Sequence, residues 1–92
     1  MTFRAMSSFE GHRKSVSVRL KLNLIIELYN QAVIDFESGD NFSGLYLFRS
    51  CLRHSVELLN DPYSRLDSYE ITVLTRYISL CNDFISRCKD IG

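Results

Sequence analysis

The chain has 92 residues, enough for one domain, and 46% of them are hydrophobic, so a buried core is expected rather than disorder. Its 11 basic and 11 acidic residues balance, which argues against general nucleic-acid binding, because that needs an excess of positive charge. No run of about 18 apolar residues and no signal-peptide pattern is present. These features predict a soluble intracellular protein.

The first 14 residues, MTFRAMSSFEGHRK, show no sustained hydrophobic period and are predicted to form a mobile N-terminal arm. The arm belongs to a basic leader, because residues 1–22 contain five basic residues and one acid, whereas residues 23–92 contain six basic and ten acidic residues. A solvated arm is the simplest interpretation of this charge. Contact with anionic lipid or with an acidic partner is the alternative.

The start of the first helix is ambiguous. The segment 15–22, SVSVRLKL, alternates polar and apolar residues, which is typical of a strand. The residues that follow have a helical period, and a single strand would have no visible partner. We therefore predict a first helix over 17–38, with a strand at 15–22 as the alternative. Its apolar stripe comprises Leu24, Leu28, Ala32 and Phe36. Beside this stripe lie Ile25, Tyr29 and Val33.

A short polar turn separates the first helix from the second. Gly39 is expected to end the first helix in the left-handed conformation, and Asn41 or Ser43 is expected to cap the second. The second helix is predicted over 42–60. It has two apolar faces, which indicates packing between two neighbours. The first face comprises Leu45, Phe48, Leu52, Val56 and Leu59. The second face, shifted around the helix, comprises Leu47, Cys51, His54 and Leu58.

Pro62 interrupts the pattern because it lacks a backbone N–H and clashes with a preceding helical turn. A third helix is predicted over 67–90, with Asp67 or Ser68 as its cap. Residues 15–92 are therefore predicted to form an all-α, up-down-up three-helix bundle that follows the flexible arm. The apolar stripe of the third helix is Leu74, Tyr77, Ile78, Cys81, Phe84, Ile85, Cys88 and Ile91.

The sequence lacks a recognisable catalytic set. Cys51, Cys81 and Cys88 do not have metal-ligand spacing and are predicted to be free thiols, mostly buried, in a reducing compartment. Neither His12 nor His54 belongs to a convincing nucleophilic or metal-binding group. No glycine-rich phosphate loop is present. We therefore predict that the chain is not an enzyme and uses no metal and no cofactor.

Two stretches of the sequence carry a family resemblance. Around the first turn, the matching positions are Ala32-Val33, Gly39, Asn41, Gly44-Leu45, Leu47-Phe48 and Cys51-Leu52. At the end of the third helix, they are Asp83, Phe84, Ile85, Arg87, Cys88, Lys89 and Ile91. Both stretches resemble the MIT (microtubule-interacting and trafficking) domain family, without a gap from Gly39 to Leu52 and at the end of the third helix, and the resemblance covers about residues 18–92. Asn41 stands where the family has a tyrosine, and Lys89 where it has an acid. Gly44 and Cys51 stand where the family has alanines.

The resemblance implies a function. MIT domains are three-helix bundles that bind short C-terminal segments of ESCRT-type membrane-remodelling subunits. One ligand class lies as a helix between helices two and three, and another lies as an extended chain between helices one and three. The resemblance thus implies an adaptor for protein transport and endosomal sorting, located in the cytoplasm or at endosomal membranes. The residues it implies for the groove between helices two and three are Tyr46, Arg49, Arg53, Tyr77, Leu80, Asp83 and Arg87.

Within this set, Leu80 lies off the main apolar stripe of the third helix and is predicted to leave an apolar side chain at the surface. A partner tail or the N-terminal arm could cover it, and simple exposure is also common. Asp83 and Arg87 have the spacing of a helix-surface ion pair, which would contribute only a few tenths of a kcal/mol.

Two other functions fit the same sequence. The turn and its flanking aromatic residues are also similar to tetratricopeptide hairpins and flagellin export chaperones, which would make the chain a small secretion chaperone or adaptor for a partner subunit. Alternatively, the second apolar face of helix two could form the seam of a homodimer. Membrane contact is expected to be indirect or through the basic arm, and no nucleic-acid partner is expected.

Overall fold

The structure, a computed structural model, describes the backbone of residues 2–91 and the side chains of residues 17–88. Three helices follow one another: α1 (Thr2–Glu37), α2 (Asn41–Asn60) and α3 (Ser68–Ile91). They pack as an up-down-up bundle, and the described residues contain no strand. The predicted fold class is therefore confirmed.

The first helix begins much earlier than predicted. Its backbone is helical from Thr2, so the helix continues through the described part of the segment that was predicted as an arm. The strand alternative for residues 15–22 is wrong, because the bundle offers no second strand to pair with. Before Gly39, this part of the sequence contains no proline and a single glycine, Gly11, so no strong helix breaker ends the helix.

The turn between α1 and α2 contains Gly39, which was predicted to end α1, and Asp40, which was not predicted to cap α2. Gly39 has a φ of +96°, which confirms its left-handed role at the end of α1. The cap of α2 is Asp40, whose carboxylate accepts a hydrogen bond of 3.0 Å from the backbone N–H of Ser43. The prediction of Asn41 or Ser43 as cap is wrong because both already lie within the helix.

Asp35 ties the two sides of this turn together. The Ser43 hydroxyl donates to its carboxylate at 2.6 Å, and the Gln31 amide donates at 2.8 Å. These hydrogen bonds lower the pKa of Asp35 below its ordinary value because they favour the charged carboxylate. The stabilisation is present at neutral pH and is lost as the pH falls through the folded-state pKa of this group.

The start of α3 is a capping box. The Asp67 carboxylate accepts from the Glu70 backbone N–H at 2.7 Å, and the Glu70 carboxylate accepts from the Asp67 backbone N–H at 2.9 Å. Asp67 is therefore the cap, as one of the two predicted alternatives had it. Arg65, just before it, has a positive φ of 51°, a conformation that the sequence did not indicate.

The capping box leads to a testable prediction. Replacing Asp67 by alanine removes the acceptor for the Glu70 N–H and is expected to lower the free energy of unfolding by about 1 kcal/mol. Urea denaturation followed by circular dichroism measures this loss. Ser68→Ala is the matched control and is expected to leave the transition midpoint unchanged, and equal losses in both variants would contradict a specific capping role for Asp67.

The core is organised around an aromatic cluster. The Phe48 ring of α2 stacks on the Phe84 ring of α3 at 4.4 Å between centroids, with an interplanar angle of 9°. Tyr29 and Phe36 of α1 approach Phe48 edge-on at 5.8 and 6.4 Å. One helix thus contributes the central ring and its two neighbours enclose it. The buried side chains are those of Ile25, Ala32, Phe48, Cys51, Ser55, Leu58, Leu74 and Cys81.

All three cysteines are free thiols, as predicted. Cys51 and Cys81 are fully buried on neighbouring helices, whereas Cys88 is half-buried. The Cys51 thiol donates to the carbonyl oxygen of Ile25 at 3.4 Å, which connects α2 to α1. A hydrogen bond with Cys51 and burial together raise the pKa of the Cys81 thiol, so Cys81 stays protonated at neutral pH.

Candidate interaction grooves

The groove between α1 and α3 has an aromatic floor. α2 packs closely against both other helices, whereas the backbones of α1 and α3 approach each other at few points. Aromatic side chains bridge the gap: Tyr29 lies 5.0 Å from Tyr77 and 6.3 Å from Phe84, measured between ring centroids. All three rings are only half-buried. Half-buried aromatic rings, rather than backbone contacts, therefore occupy the gap between α1 and α3.

Apolar side chains flank these rings on both helices. Val33 follows Tyr29 by four residues on α1, so the two side chains lie on one side of that helix. On α3, Leu80 follows Tyr77 by three residues and precedes Phe84 by four, so it shares their side. Val33 and Leu80 are both half-buried. We call this half-buried surface, with its aromatic floor and these two flanking residues, the inner groove.

The floor of the inner groove also has two polar atoms. Burial raises the pKa of Tyr29 and of Tyr77, so both phenols stay protonated at neutral pH. Within the described side chains, no buried oxygen or nitrogen lacks a hydrogen-bond partner. Neither hydroxyl has a partner in that part of the chain, so both are accessible to water. Each phenol can therefore donate to, or accept from, a ligand in the groove.

Asp83 and Arg87 lie near one end of the inner groove. They form the i, i+4 ion pair that their spacing suggested, with a nitrogen–oxygen distance of 3.1 Å. The Arg87 guanidinium also lies 5.6 Å from the centre of the Phe84 ring. Both charged side chains are mostly exposed, so the ion pair itself adds little to stability. A positive charge therefore lies close to the aromatic floor.

The three predicted residues of α2 are placed elsewhere. Tyr46, Arg49 and Arg53 are exposed and follow one another at helical spacing along one stripe of α2. Arg53 is 3.7 Å from Glu57 in a second exposed i, i+4 pair. Since the Tyr77 ring points to α1, the seven predicted residues form two groups, one on α2 and one along the inner groove.

No α1 residue belongs to the site that the sequence predicts. Tyr29 and Val33 were assigned to the edge of the α1 stripe, and nothing in the sequence indicated that this edge faces α3. Ala32 of the predicted stripe is buried, but the stripe is rotated slightly, because Ile25, predicted beside it, is buried whereas Leu24, predicted within it, is 43% exposed. The helical spacing of Tyr29, Val33 and Phe36 is the feature of the sequence that could have pointed to this edge of α1 as part of the site.

A second concave surface lies between α1 and α2. One cavity of about 550 Å³ is lined by Lys21, Leu24, Ile25, His54, Glu57, Leu58 and Asp61. Another of about 430 Å³ is lined by Leu24, Glu27, Leu28, Asn30, Gln31, Ile34 and Leu47. Both share Leu24, and no residue of α3 contributes to either. We call these two cavities together the outer groove.

Comparisons of the chain with protein-family models, with curated proteins and with solved structures find no match. Within the described residues, no helix combines the length and apolar character that are needed to cross a bilayer. That same part of the chain contains no group of three or more histidine, cysteine or acidic side chains placed to hold a metal ion.

Proposed function

We propose that this chain is a non-enzymatic protein-interaction module that binds a short tail segment of an ESCRT-type membrane-remodelling subunit and serves recruitment in trafficking. The tail lies in the inner groove, between α1 and α3. The observation that carries the proposal is the half-buried aromatic floor, where the ring centroids of Tyr29 and Tyr77 lie 5.0 Å apart and half-buried Leu80 follows on the same side of α3. Of the two ligand modes that the MIT resemblance implies, this geometry favours the extended one.

Three properties of the inner groove suit an extended segment. Its floor is apolar and can accept alternate side chains of the ligand, while its two phenols can hydrogen-bond to the ligand backbone. Its depth is limited, since the rings of Tyr29 and Tyr77 already fill the space between the helices. A helical ligand would need more room than the half-buried floor offers, because a helix with its side chains is about 10 Å across.

Leu80→Asp tests the site. Fluorescently labelled tail peptides of ESCRT-type subunits, both helical and extended, are titrated against the protein and followed by anisotropy. We expect an extended tail to bind, and we expect the aspartate to weaken it about tenfold or more, because an apolar contact of about 1.5 kcal/mol or more is replaced by a charge that must be desolvated.

Tyr46→Ala is the matched control because Tyr46 is exposed on α2, away from the inner groove. We expect it to leave the affinity for the tail unchanged. Circular dichroism of both variants checks that the bundle remains folded. If Tyr46→Ala weakens binding and Leu80→Asp does not, the ligand lies along α2 and the proposed site is wrong. If no tail binds, the proposed function itself is wrong.

A further inference from the structure

The side of α1 that faces away from the aromatic cluster has an apolar stripe with no covering helix. Leu20, Leu24 and Ile34 are 63%, 43% and 57% exposed. With Glu27 and Gln31, they follow one another at alternating steps of four and three residues, which is the spacing of a helix–helix seam. Such a stripe on a single bundle indicates that another helix packs against it.

The outer groove continues this stripe onto α2. Leu24 lines both of its cavities, and Leu28 and Leu47 add half-buried apolar surface to the second one. The exposed apolar surface therefore extends on either side of Leu24 and deepens next to it. This shape fits a second helix that lies along α1 with its midpoint near Leu24 and places an apolar side chain on either side of it.

The charge of α1 determines which helix fits and in which orientation. Residues 1–22 contain five basic residues and one acid, whereas residues 23–37 contain three acids and no basic residue. Two copies of α1 packed parallel would place like charges together. Packed antiparallel, the basic half of each copy lies along the acidic half of the other, which is favourable.

We propose that the outer groove is occupied by a second copy of this chain, with the two α1 helices antiparallel and the twofold axis next to Leu24. In this register, Lys21 of each copy faces Glu27 of the other, since both lie three residues from Leu24. Leu20 of each copy faces Leu28 of the other and enters the second cavity. The interface is isologous, so every contact occurs twice.

The length of α1 supports the same arrangement. Lys21 already lies opposite Asp61, the residue that ends α2, at 4.0 Å. α2 therefore ends beside Lys21, and a helix on its own is only marginally stable in water. In the antiparallel dimer, the part of α1 before Lys21 runs along the second half of α1 in the other copy. The long Lys21–Asp61 contact, with Lys21 half-exposed, does not prevent Lys21 from reaching the other copy.

Charge exchange tests the proposed register. Glu27→Lys and Lys21→Glu are prepared separately, and the dimer dissociation constant is measured by sedimentation velocity at low salt. Each single variant places like charges together twice, so we expect its dimer to weaken about tenfold. An equimolar mixture of the two variants restores two opposite-charge pairs, and we expect it to form a heterodimer as strong as the wild-type dimer. Arg49→Glu on α2 is the control, because Arg49 is exposed and lines neither cavity of the outer groove, and we expect it to leave the constant unchanged.

Leu24→Arg tests the apolar centre of the same interface, and we expect it to give a monomer with an unchanged circular dichroism spectrum. A wild-type protein that stays monomeric at 200 µM would overturn the proposal, as would single charge variants that dimerise like wild type or a mixture that fails to recover. These results are independent of tail binding, because the inner groove lies between α1 and α3. A monomeric variant that still binds a tail leaves the proposed function intact.

Discussion

Replacing Phe48 by alanine is expected to lower the free energy of unfolding by about 3–5 kcal/mol, which is a large part of the total for a domain of this size. The Phe48 ring is fully buried and lies between the Phe84 ring on one side and the Tyr29 and Phe36 rings on the other. These neighbours belong to α1 and α3, so they cannot close the cavity without moving two helices. The loss therefore combines transfer and cavity terms.

Thermal and urea unfolding measure this effect. A domain of this length loses about 4–8 °C in melting temperature for each kcal/mol, so we expect Phe48→Ala to be folded only well below the wild-type transition. Phe42→Ala on the same helix is the matched control, because Phe42 is 85% exposed. It is expected to change stability by less than about 0.5 kcal/mol. Similar losses at the two positions would show that Phe48 does not lie at the centre of the core.

Replacing Gly44 by leucine is expected to cost about 3 kcal/mol, because α1 packs directly against this residue. A Cβ atom at Gly44 would lie 3.1 Å from the Cβ of Phe36 and 3.2 Å from two backbone atoms, the oxygen of Ala32 and the nitrogen of Phe36. Backbone atoms cannot rotate away, so a larger side chain must push the two helices apart. Gly44→Ala is expected to cost less, since a helical alanine regains up to about 1 kcal/mol over glycine.

Gly39 is the control, because substitutions there are expected to cost stability through backbone strain and not through steric contact. It has a positive φ, but a Cβ atom there would meet nothing within 4 Å. Alanine and leucine at Gly39 are therefore expected to cost a similar amount, about 1–2 kcal/mol, from backbone strain alone. At Gly44, the loss should instead increase with side-chain size. Urea midpoints of the four variants separate these cases, and a Gly44→Leu protein as stable as wild type would contradict the close approach of α1 and α2.

The close approach at Gly44 also affects the proposed binding site. α2 packs against α1 on one side and against α3 on the other. α1 and α3 therefore meet mainly through the rings of Tyr29, Tyr77 and Phe84 and not through their backbones. A larger residue at Gly44 would move α1 and change the width of the inner groove. Tail affinity of Gly44→Ala is therefore expected to fall together with stability.

The sequence by itself determined the helices and most of their ends. Gly39 and Pro62 interrupt the helical period for local reasons, and Asp67 begins α3 through a capping box that lies within four residues. These features depend on neighbours in the chain, which a sequence displays. The N-terminal end of α1 was not predicted, because residues 1–14 show no sustained hydrophobic period, although the backbone is helical from Thr2.

Burial within each helix was only partly predictable. The apolar faces of α2 correctly included Phe48, Cys51 and Leu58, but fully buried Ser55 was missed because serine is polar. Its hydroxyl donates to the Cys51 carbonyl oxygen at 2.8 Å, so the helix satisfies it internally and it can be buried without a partner from another helix. Hydrophobic periodicity does not detect a residue of this kind.

The tertiary structure alone decided which side of each helix faces which neighbour. A period of 3.6 residues identifies an apolar stripe, but the direction of the next helix depends on how closely the two can approach, and this depends on single residues such as Gly44. That direction placed Tyr77 and Leu80 beside α1 and left Leu24 exposed on the outer groove. Both proposed surfaces therefore follow from packing between residues far apart in the chain.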